Sequence, residues 1–439
     1  MLDQILYEDT TDELEPFTPE NGEMPSPLSS LTPSPISSPA PSSIPLPQDL
    51  PISSASTSNS RKRHSKQQSK KNKKKRRSEQ NRSASSIQPR SSANKRHVVP
   101  ATPLVSDFST AHEARVASTA YIGLRDTETD IEDKTYSLQE LVGPQSHFHF
   151  DLVAWAATET VPIADDEDRV TVIMVAPPQT DDWKACVQAA TDKLEKERCR
   201  CRFKNEQLVH RRGSFPALST GIFYGNGMME PANVSHNVNN TAVLYRLTHH
   251  WAFQRMSGFV TGMMKVWAPR LYDYYHSHFD DVLKSDSRLR PAFENSVFAA
   301  AAFNFGPETI CFPHVDYGNL PFGWCPIWSL GRYDYKKGGH LVLWDLKLVI
   351  EFPPGSLIVI PSGILRHSNT KIQRGESRYS FTQYTAGGLF RWVDYGFQTF
   401  ESYCNNRTAT EAARDEHDKR RRWKMGLSLY STLADLGLC

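Results

Sequence analysis

His314, Val315 and Asp316 are followed about fifty residues later by His367, and then by Arg378 and Ser380. Two imidazoles and one carboxylate are the facial triad with which non-haem Fe(II) oxygenases hold iron, leaving coordination positions open for a co-substrate and O2. On an extended strand residues i and i+2 share a face, so His314 and Asp316 can grip one ion from a single strand end. Arg378 and Ser380 repeat that spacing. A planar guanidinium fork there, assisted by Ser380, could bind the distal carboxylate of 2-oxoglutarate bidentately. A lone H-x-D in a chain with 15 histidines says little. The whole ordered series H-x-D…H-x10-R-x-S points to an enzyme.

The surrounding segment must bring these side chains together, and it reads as a run of short strands. They are Glu308–Phe312, Trp324–Leu330, His340–Trp344, Leu348–Phe352, Ser356–Ile360 and Arg378–Tyr384. Turn signals separate them, among them Lys337-Gly338-Gly339, Pro353-Pro354-Gly355 and Pro361-Ser362-Gly363. Many short, regularly punctuated strands predict a jelly-roll or cupin-like barrel, in which distant strands converge on one mouth. Within it His340 is the rival metal ligand, but it alternates with Val342 and Trp344 and reads as a polar residue bordering the cavity. Tyr317, Asn319, Phe322 and Trp324 follow the H-x-D pair, placing aromatic faces and an amide where an extruded base could be stacked and hydrogen-bonded. For Phe322 and Trp324, simple loop packing explains the pattern equally well.

Asn304 to Phe397 resembles the double-stranded β-helix core of the TET/JBP family of Fe(II)/2-oxoglutarate nucleic-acid base oxygenases, in particular its expanded fungal branch. The stretches that carry the resemblance are FNFGPETICFPHVDYGNLPFGWCPIWSLG, KKGGHLVLWDLKLVIEFPPGSLIVIPS, LRHSN and SRYSFTQYTAGGLFRWVD. The resemblance puts the iron ligands on His314, Asp316 and His367 and the 2-oxoglutarate-binding arginine on Arg378. Asn319 matches a polar position of the family's H-x-D-x-x-N pattern. A methyl carbon on a nucleobase is the implied target: 5-methylcytosine foremost, with N6-methyladenine or thymine as alternatives. The implied partners are methylated DNA, or RNA, and O2.

Residues 1–105 are too polar and proline-rich to bury a core and are expected to form a disordered arm. Nine prolines lie between Pro25 and Pro51. Charge is segregated: residues 1–60 carry nine acids and no Lys or Arg, whereas Arg61–Arg82 carries twelve basic residues and one acid. Against a whole-chain charge of +2, this leaves residues 83–439 balanced. The dense basic run predicts nuclear import, and the same charges attract phosphates. The acidic start lacks the apolar stretch of a signal peptide, and no run is long and apolar enough for a membrane span, so a soluble, intracellular protein is expected; a monomer is expected as well. Seven cysteines, an odd number, fit reduced thiols. Cys199-Arg200-Cys201 lacks a second ligand pair.

Residues 106–295 read as a mixed α/β and helical region packing on the core, with a strand at Arg169–Ala176, a helix at Thr180–Arg200, and helix from about Thr241 to Lys284 broken at Pro269. The aromatics of this last region (Trp251, Phe253, Phe259, Trp267, Tyr272, Tyr274) are read as core packing. Residues 296–400 form the expected dioxygenase core and 401–439 a C-terminal helical extension. The fold expected is thus α+β, a double-stranded β-helix with flanking helices. The expected activity is oxidation of a methylated base by Fe(II) and 2-oxoglutarate. Two rivals use the same motifs: a protein hydroxylase or lysyl demethylase, and an inactive nucleic-acid-binding member of the family.

Overall fold

A computed structural model describes residues 91–126 and 133–438. Strand Val170–Val175 shows how its core is divided: all six residues are buried, Ile173 and Val175 turning one way and Val172 and Met174 the other. Its antiparallel partner Leu357–Ile360 does the same, with Leu357 and Val359 on one side and Ile358 and Ile360 on the other. A strand that is apolar on both faces must be covered on both. One cover is a layer of helices and the other is a second sheet.

The larger sheet has nine strands in the order Leu104–Val105, Val161–Ala164, Val170–Val175, Leu357–Ile360, Cys325–Arg332, Ser377–Tyr384, Ala300–Asn304, Ala217–Phe223 and Ala232–Asn233. The smaller has four, His367–Asn369, Leu341–Leu343, Leu348–Ile350 and Asp151–Val153. Ile327, Ile358 and Ile360 from the larger sheet and Leu341, Leu343 and Ile350 from the smaller share the core between them. This is the double-stranded β-helix. Helices Asp181–Arg198, Trp251–Trp267 and Pro269–Ser285 cover the outer face of the larger sheet, burying Trp183, Phe253, Val260 and Trp267 in one cluster with Phe303, Trp328 and Phe381.

Several expectations need correction. The arm does not extend to residue 105: helix Ser91–His97 and strand Leu104–Val105 are ordered, because Ala93, Val98 and Ala101 join the main apolar cluster. The acidic, proline-rich and basic stretches before residue 91 lie outside the described residues. No structural division falls at 295/296, since strands 161–164, 170–175 and 217–223 belong to the barrel's own sheet. The predicted strand Glu308–Phe312 is irregular. Only Glu308 pairs, with Arg378, while Pro307 and Pro313 lack ladder donors. The Cys311 N–H turns to the Asn369 side chain and that of Phe312 to the Arg212 carbonyl.

The long helical region is three helices, Val238–Thr248, Trp251–Trp267 and Pro269–Ser285. Pro269 opens the third, where its fixed φ suits a first helical position. Phe253, Trp267 and Tyr272 are core residues as expected, but Trp251 is 51% exposed. The C-terminal extension contains helix Ala409–Leu427, which returns to the start of the described chain. Arg422 donates to the Thr119 carbonyl and Trp423 to that of Ala111.

Candidate metal and co-substrate site

His314 and His367 face each other across an antiparallel bridge, and Asp316 lies beside both. Their Nε2 atoms stand 3.9 Å from Asp316 Oδ1 and Oδ2 respectively. One donor atom from each of the three side chains lies within 4.8 Å of the others, and this is the one such cluster of three His, Cys, Asp or Glu among the described residues. The Nδ1 atom of His314 lies 2.7 Å from the Phe312 carbonyl, and that of His367 lies 2.9 Å from the Leu365 carbonyl. A carbonyl can only accept, so each Nδ1 carries the proton and each Nε2 presents a lone pair toward the carboxylate. Burial holds both imidazoles below their ordinary pKa, and therefore neutral. Burial also pushes the Asp316 carboxyl upward, but with the two rings neutral the guanidiniums of Arg212 and Arg211 still favour its ionised form, and it lies below the usual carboxylate range. Neutral imidazoles beside an anion are the protonation states that a divalent cation requires.

Strand Ser377–Tyr384 supplies the second half of the site. Tyr379 and Phe381 belong to the helix-facing cluster, so the alternating Arg378 and Ser380 point into the barrel. Both are buried, at 3% and 4% exposure. Arg378 Nη1 donates to the Thr309 carbonyl, while its Nε has no partner. Ser380 Oγ accepts from Asn304 Nδ2, leaving Asn304 Oδ1 unpartnered. Thr309 Oγ1 and His340 Nε2 are likewise buried without partners. Thr370 Oγ1 accepts the His340 backbone N–H, so its own proton is free for His340 Nδ1, 2.9 Å away. That assignment leaves His340 Nε2 as a donor. Burial, only partly offset by the Lys336 backbone and reinforced by Arg378, lowers the His340 pKa to about 4, so the ring is neutral. Asn304 Oδ1 can only accept, but Arg378 Nε, Thr309 Oγ1 and His340 Nε2 can all donate, and unsatisfied donors buried together are costly unless something fills them. An anion with several acceptor oxygens, such as a carboxylate, fits this set.

His340 is therefore not a member of the metal cluster; it belongs with Arg378. Arg366, another arginine near the site, is engaged with Asp126 at 3.1 Å.

The loop after Asp316 differs from expectation. Trp324 is 3% exposed, donates its indole N–H to the Thr171 carbonyl and packs among Val260, Trp267 and Val359 in the helix-facing core. It is not available to a substrate. It shares strand parity with Trp328 and Leu330, which face the same cluster. Phe322 is fully buried and packs by its ring against Gly426 and Tyr274. Tyr317 sits next to the metal cluster, but its hydroxyl accepts from Arg125 Nη2, and the guanidiniums of Arg125 and Arg211 lie 5.0 and 5.4 Å from its ring centre. Its ring thus serves two arginines before any base. Asn319 donates Nδ2 to Ser362 Oγ at 3.0 Å, and its Oδ1 meets no partner among the described residues.

Sequence reasoning missed the strap His210–Gly213. Arg211 donates Nη1 to the Val315 carbonyl and Nη2 to Asp316 Oδ1. Arg212 accepts the Phe312 N–H through its carbonyl, and its guanidinium, which bears on Asp316, makes no hydrogen bond or ion pair among the described residues. The available signal was a basic doublet before a buried strand, well away from the basic arm.

No family model and no curated protein matches the chain. Solved structures with similar folds include NgTET1 in complex with 5mC DNA, at 16% identity and TM-score 0.41, covering 55% of this chain and 84% of that one. A 2OG-Fe(II) oxygenase family oxidoreductase from Burkholderia pseudomallei is 16% identical with TM-score 0.27, covering 50% and 86%. A C-terminally truncated Neurospora crassa protein in its apo form is 12% identical with TM-score 0.25, covering 52% and 82%. These likenesses are distant, and the chemistry of the site rests on its own atoms.

Proposed function

We propose that the protein is an Fe(II)- and 2-oxoglutarate-dependent dioxygenase that oxidises a methyl group on a nucleobase, with 5-methylcytosine in DNA as the first candidate. The observation that carries the reading is the pair of histidines whose Nδ1 protons are fixed on backbone carbonyls while both Nε2 atoms face one carboxylate. Such bonds from the far ring nitrogen set the tautomer that a metal ligand needs. His314, Asp316 and His367 would hold iron. Arg378 and His340, with Ser380 and Asn304 behind them, would hold the far carboxylate of 2-oxoglutarate.

When bound, iron with 2-oxoglutarate supplies O2 activation coupled to decarboxylation, giving succinate, CO2 and a hydroxylated substrate carbon. The chain's own contribution is positional. Arg211 braces the Asp316 carboxylate and the Val315 carbonyl, fixing the ligand strand. Leu343, the register partner of His367, and Leu365, whose carbonyl holds the His367 ring, are both buried and keep that ligand in an apolar setting. Asn319 Oδ1, an acceptor, would suit the exocyclic amine that cytosine and adenine bases both present. A place beside the TET/JBP group, including its fungal branch, and nuclear import by Arg61–Arg82 belong to the same proposal and are supported by sequence motifs.

The experiment is to load purified protein with Fe(II) without oxygen, add 2-oxoglutarate, air and oligonucleotides bearing each methylated base, and measure nucleosides by mass. Formation of 5-hydroxymethylcytosine is expected. Succinate formation stimulated by a methylated or lysine-rich peptide but by no nucleic acid would move the substrate class to protein. Absence of succinate from an iron-loaded protein would leave a binding module.

A further inference from the structure

Asn304 presents an acceptor that a carboxylate cannot satisfy. Its neighbours Phe303 and Phe305 belong to the helix-facing cluster, so the Asn304 side chain points into the barrel, where the residue is 4% exposed. Nδ2 donates to Ser380 Oγ at 2.7 Å, and Oδ1 is buried without a partner. The other unpartnered atoms around Arg378, namely its own Nε, His340 Nε2 and Thr309 Oγ1, can all give a proton to an anion. Asn304 Oδ1 can only accept, and an ionised carboxyl has no proton to offer it. A co-substrate that meets these groups with a carboxylate alone therefore leaves one buried acceptor unsatisfied, which is costly.

The order of residues along strand Ser377–Tyr384 tells where the missing donor belongs. Arg378 begins the inward-facing series and is locked to Thr309, whose N–H donates to the Arg378 carbonyl and whose own carbonyl accepts from Arg378 Nη1. Ser380, opposite Asn304, comes one inward position later, about 6.6 Å further along the strand. The strand then reaches the metal loop: the Thr385 carbonyl accepts the Leu320 N–H, and Ala386 bridges to Asn319. Asn304 thus flanks the stretch of ligand between the far carboxylate and the metal, while its Nδ2 steadies Ser380. The next inward pair, Thr382 and Ala302, is small and adds no bulk on that flank. We propose that the site is built for a 2-oxo dicarboxylic acid bearing a hydroxyl on the carbon beside its distal carboxyl, and that this hydroxyl donates to Asn304 Oδ1, so that such an acid binds more tightly than 2-oxoglutarate. The proposal rests on the dioxygenase reading above and refines the co-substrate that the same site takes.

The test is calorimetry under nitrogen on the full chain loaded with Fe(II), using 2-oxoglutarate and the two enantiomers of 4-hydroxy-2-oxoglutarate. One enantiomer should bind about fivefold more tightly than 2-oxoglutarate, as one added neutral hydrogen bond to a buried acceptor allows. The other should gain nothing, because Asn304 lies on one side of the ligand only. Asn304→Leu removes the acceptor. It also takes support from Ser380, but that loss falls on every ligand and cancels in the ratio of affinities, so the preference should drop to unity or reverse. Asn304→Asp keeps an acceptor and should keep the preference, although all three acids then bind more weakly. Equal binding of the three acids to the unaltered protein would mean that a water already satisfies Oδ1, and weaker binding of both enantiomers would mean that the amide presents Nδ2 instead. Either result overturns the proposal, as does a preference that survives in Asn304→Leu. If none of the acids bound, the dioxygenase reading would fall and this proposal with it, whereas 2-oxoglutarate binding without the preference sinks this proposal alone.

Discussion

His314 and His367 exchange backbone hydrogen bonds in both directions, the His314 N–H to the His367 carbonyl at 3.1 Å and the His367 N–H to the His314 carbonyl at 2.9 Å. Their rings therefore project from one rung, with centres 4.3 Å apart. Two ligands separated by half a hundred residues are thus fixed directly to each other. Metal binding then needs little reorganisation of the main chain, which favours affinity.

Removing any one of the three side chains should abolish tight iron binding while leaving the rung intact. His314→Ala, Asp316→Ala and His367→Ala should each weaken Fe(II) binding, titrated anaerobically, by at least about a hundredfold, beyond the cost of losing a supporting contact. Near-normal affinity in a folded variant would remove that residue from the ligand set.

Arg378→Lys keeps a charge but loses the planar fork. The apparent Kd for 2-oxoglutarate should rise about five- to a hundredfold, corresponding to about 1–3 kcal/mol, with Fe(II) affinity unchanged. His340→Leu should raise it less, by about fivefold, as expected for one neutral hydrogen bond. If His340→Leu changed iron binding instead, the ring would belong to the metal.

His340 also predicts a pH dependence of stability. Its folded pKa of about 4 lies below the ordinary 6.5, so between those values the unfolded chain binds the extra proton. Stability from this group is complete above about pH 6.5 and is lost as pH falls toward 4, by roughly 3 kcal/mol in all. Urea denaturation at pH 7, 6 and 5 should show a shallower fall for His340→Gln than for the wild type. Parallel curves would mean that the buried ring relaxes and takes up its proton in the folded state.

Asn319→Ala should lower oxidation of a 5-methylcytosine oligonucleotide about five- to a hundredfold while sparing substrate-independent succinate formation. Equal loss of both would assign Asn319, through its bond to Ser362, to support of the metal loop.

Gly426 lies against the Phe322 ring so closely that an added Cβ would sit 2.2 Å from it. Phe322 is buried and has little room to move, so Gly426→Ala should cost about 1–3 kcal/mol of stability through overpacking. An unchanged melting temperature would show that helix Ala409–Leu427 shifts freely on the barrel.

The parts of the site that follow from local periodicity were legible in the sequence. His314 with Asp316 and Arg378 with Ser380 are i, i+2 pairs, and the strand alternation that makes them co-facial is visible in their apolar neighbours. The direction of Trp324 was legible too, had its parity with Trp328 been used. What could not be read were contacts between segments remote in sequence. Arg125 meets Tyr317 across 192 positions and Arg211 meets Asp316 across 105, and neither is announced by any repeat or spacing. The role of His340 was hidden for another reason: what defines it is an unsatisfied ring nitrogen, which appears only once its surroundings are folded.

The bond from Arg422 to the Thr119 carbonyl joins residues 303 apart, and Tyr121 meets Asp394 across 273. Arg422 also stacks on Tyr121, 4.0 Å from its ring centre. These contacts are made by the segment that leads into the arginine-bearing loop beside the metal cluster. That loop cannot acquire its final supports until helix Ala409–Leu427 has been synthesised. Closing loops of this size before any contact rewards them is slow. In a nascent chain the loop, and with it the metal pocket it borders, should thus be among the last features to mature.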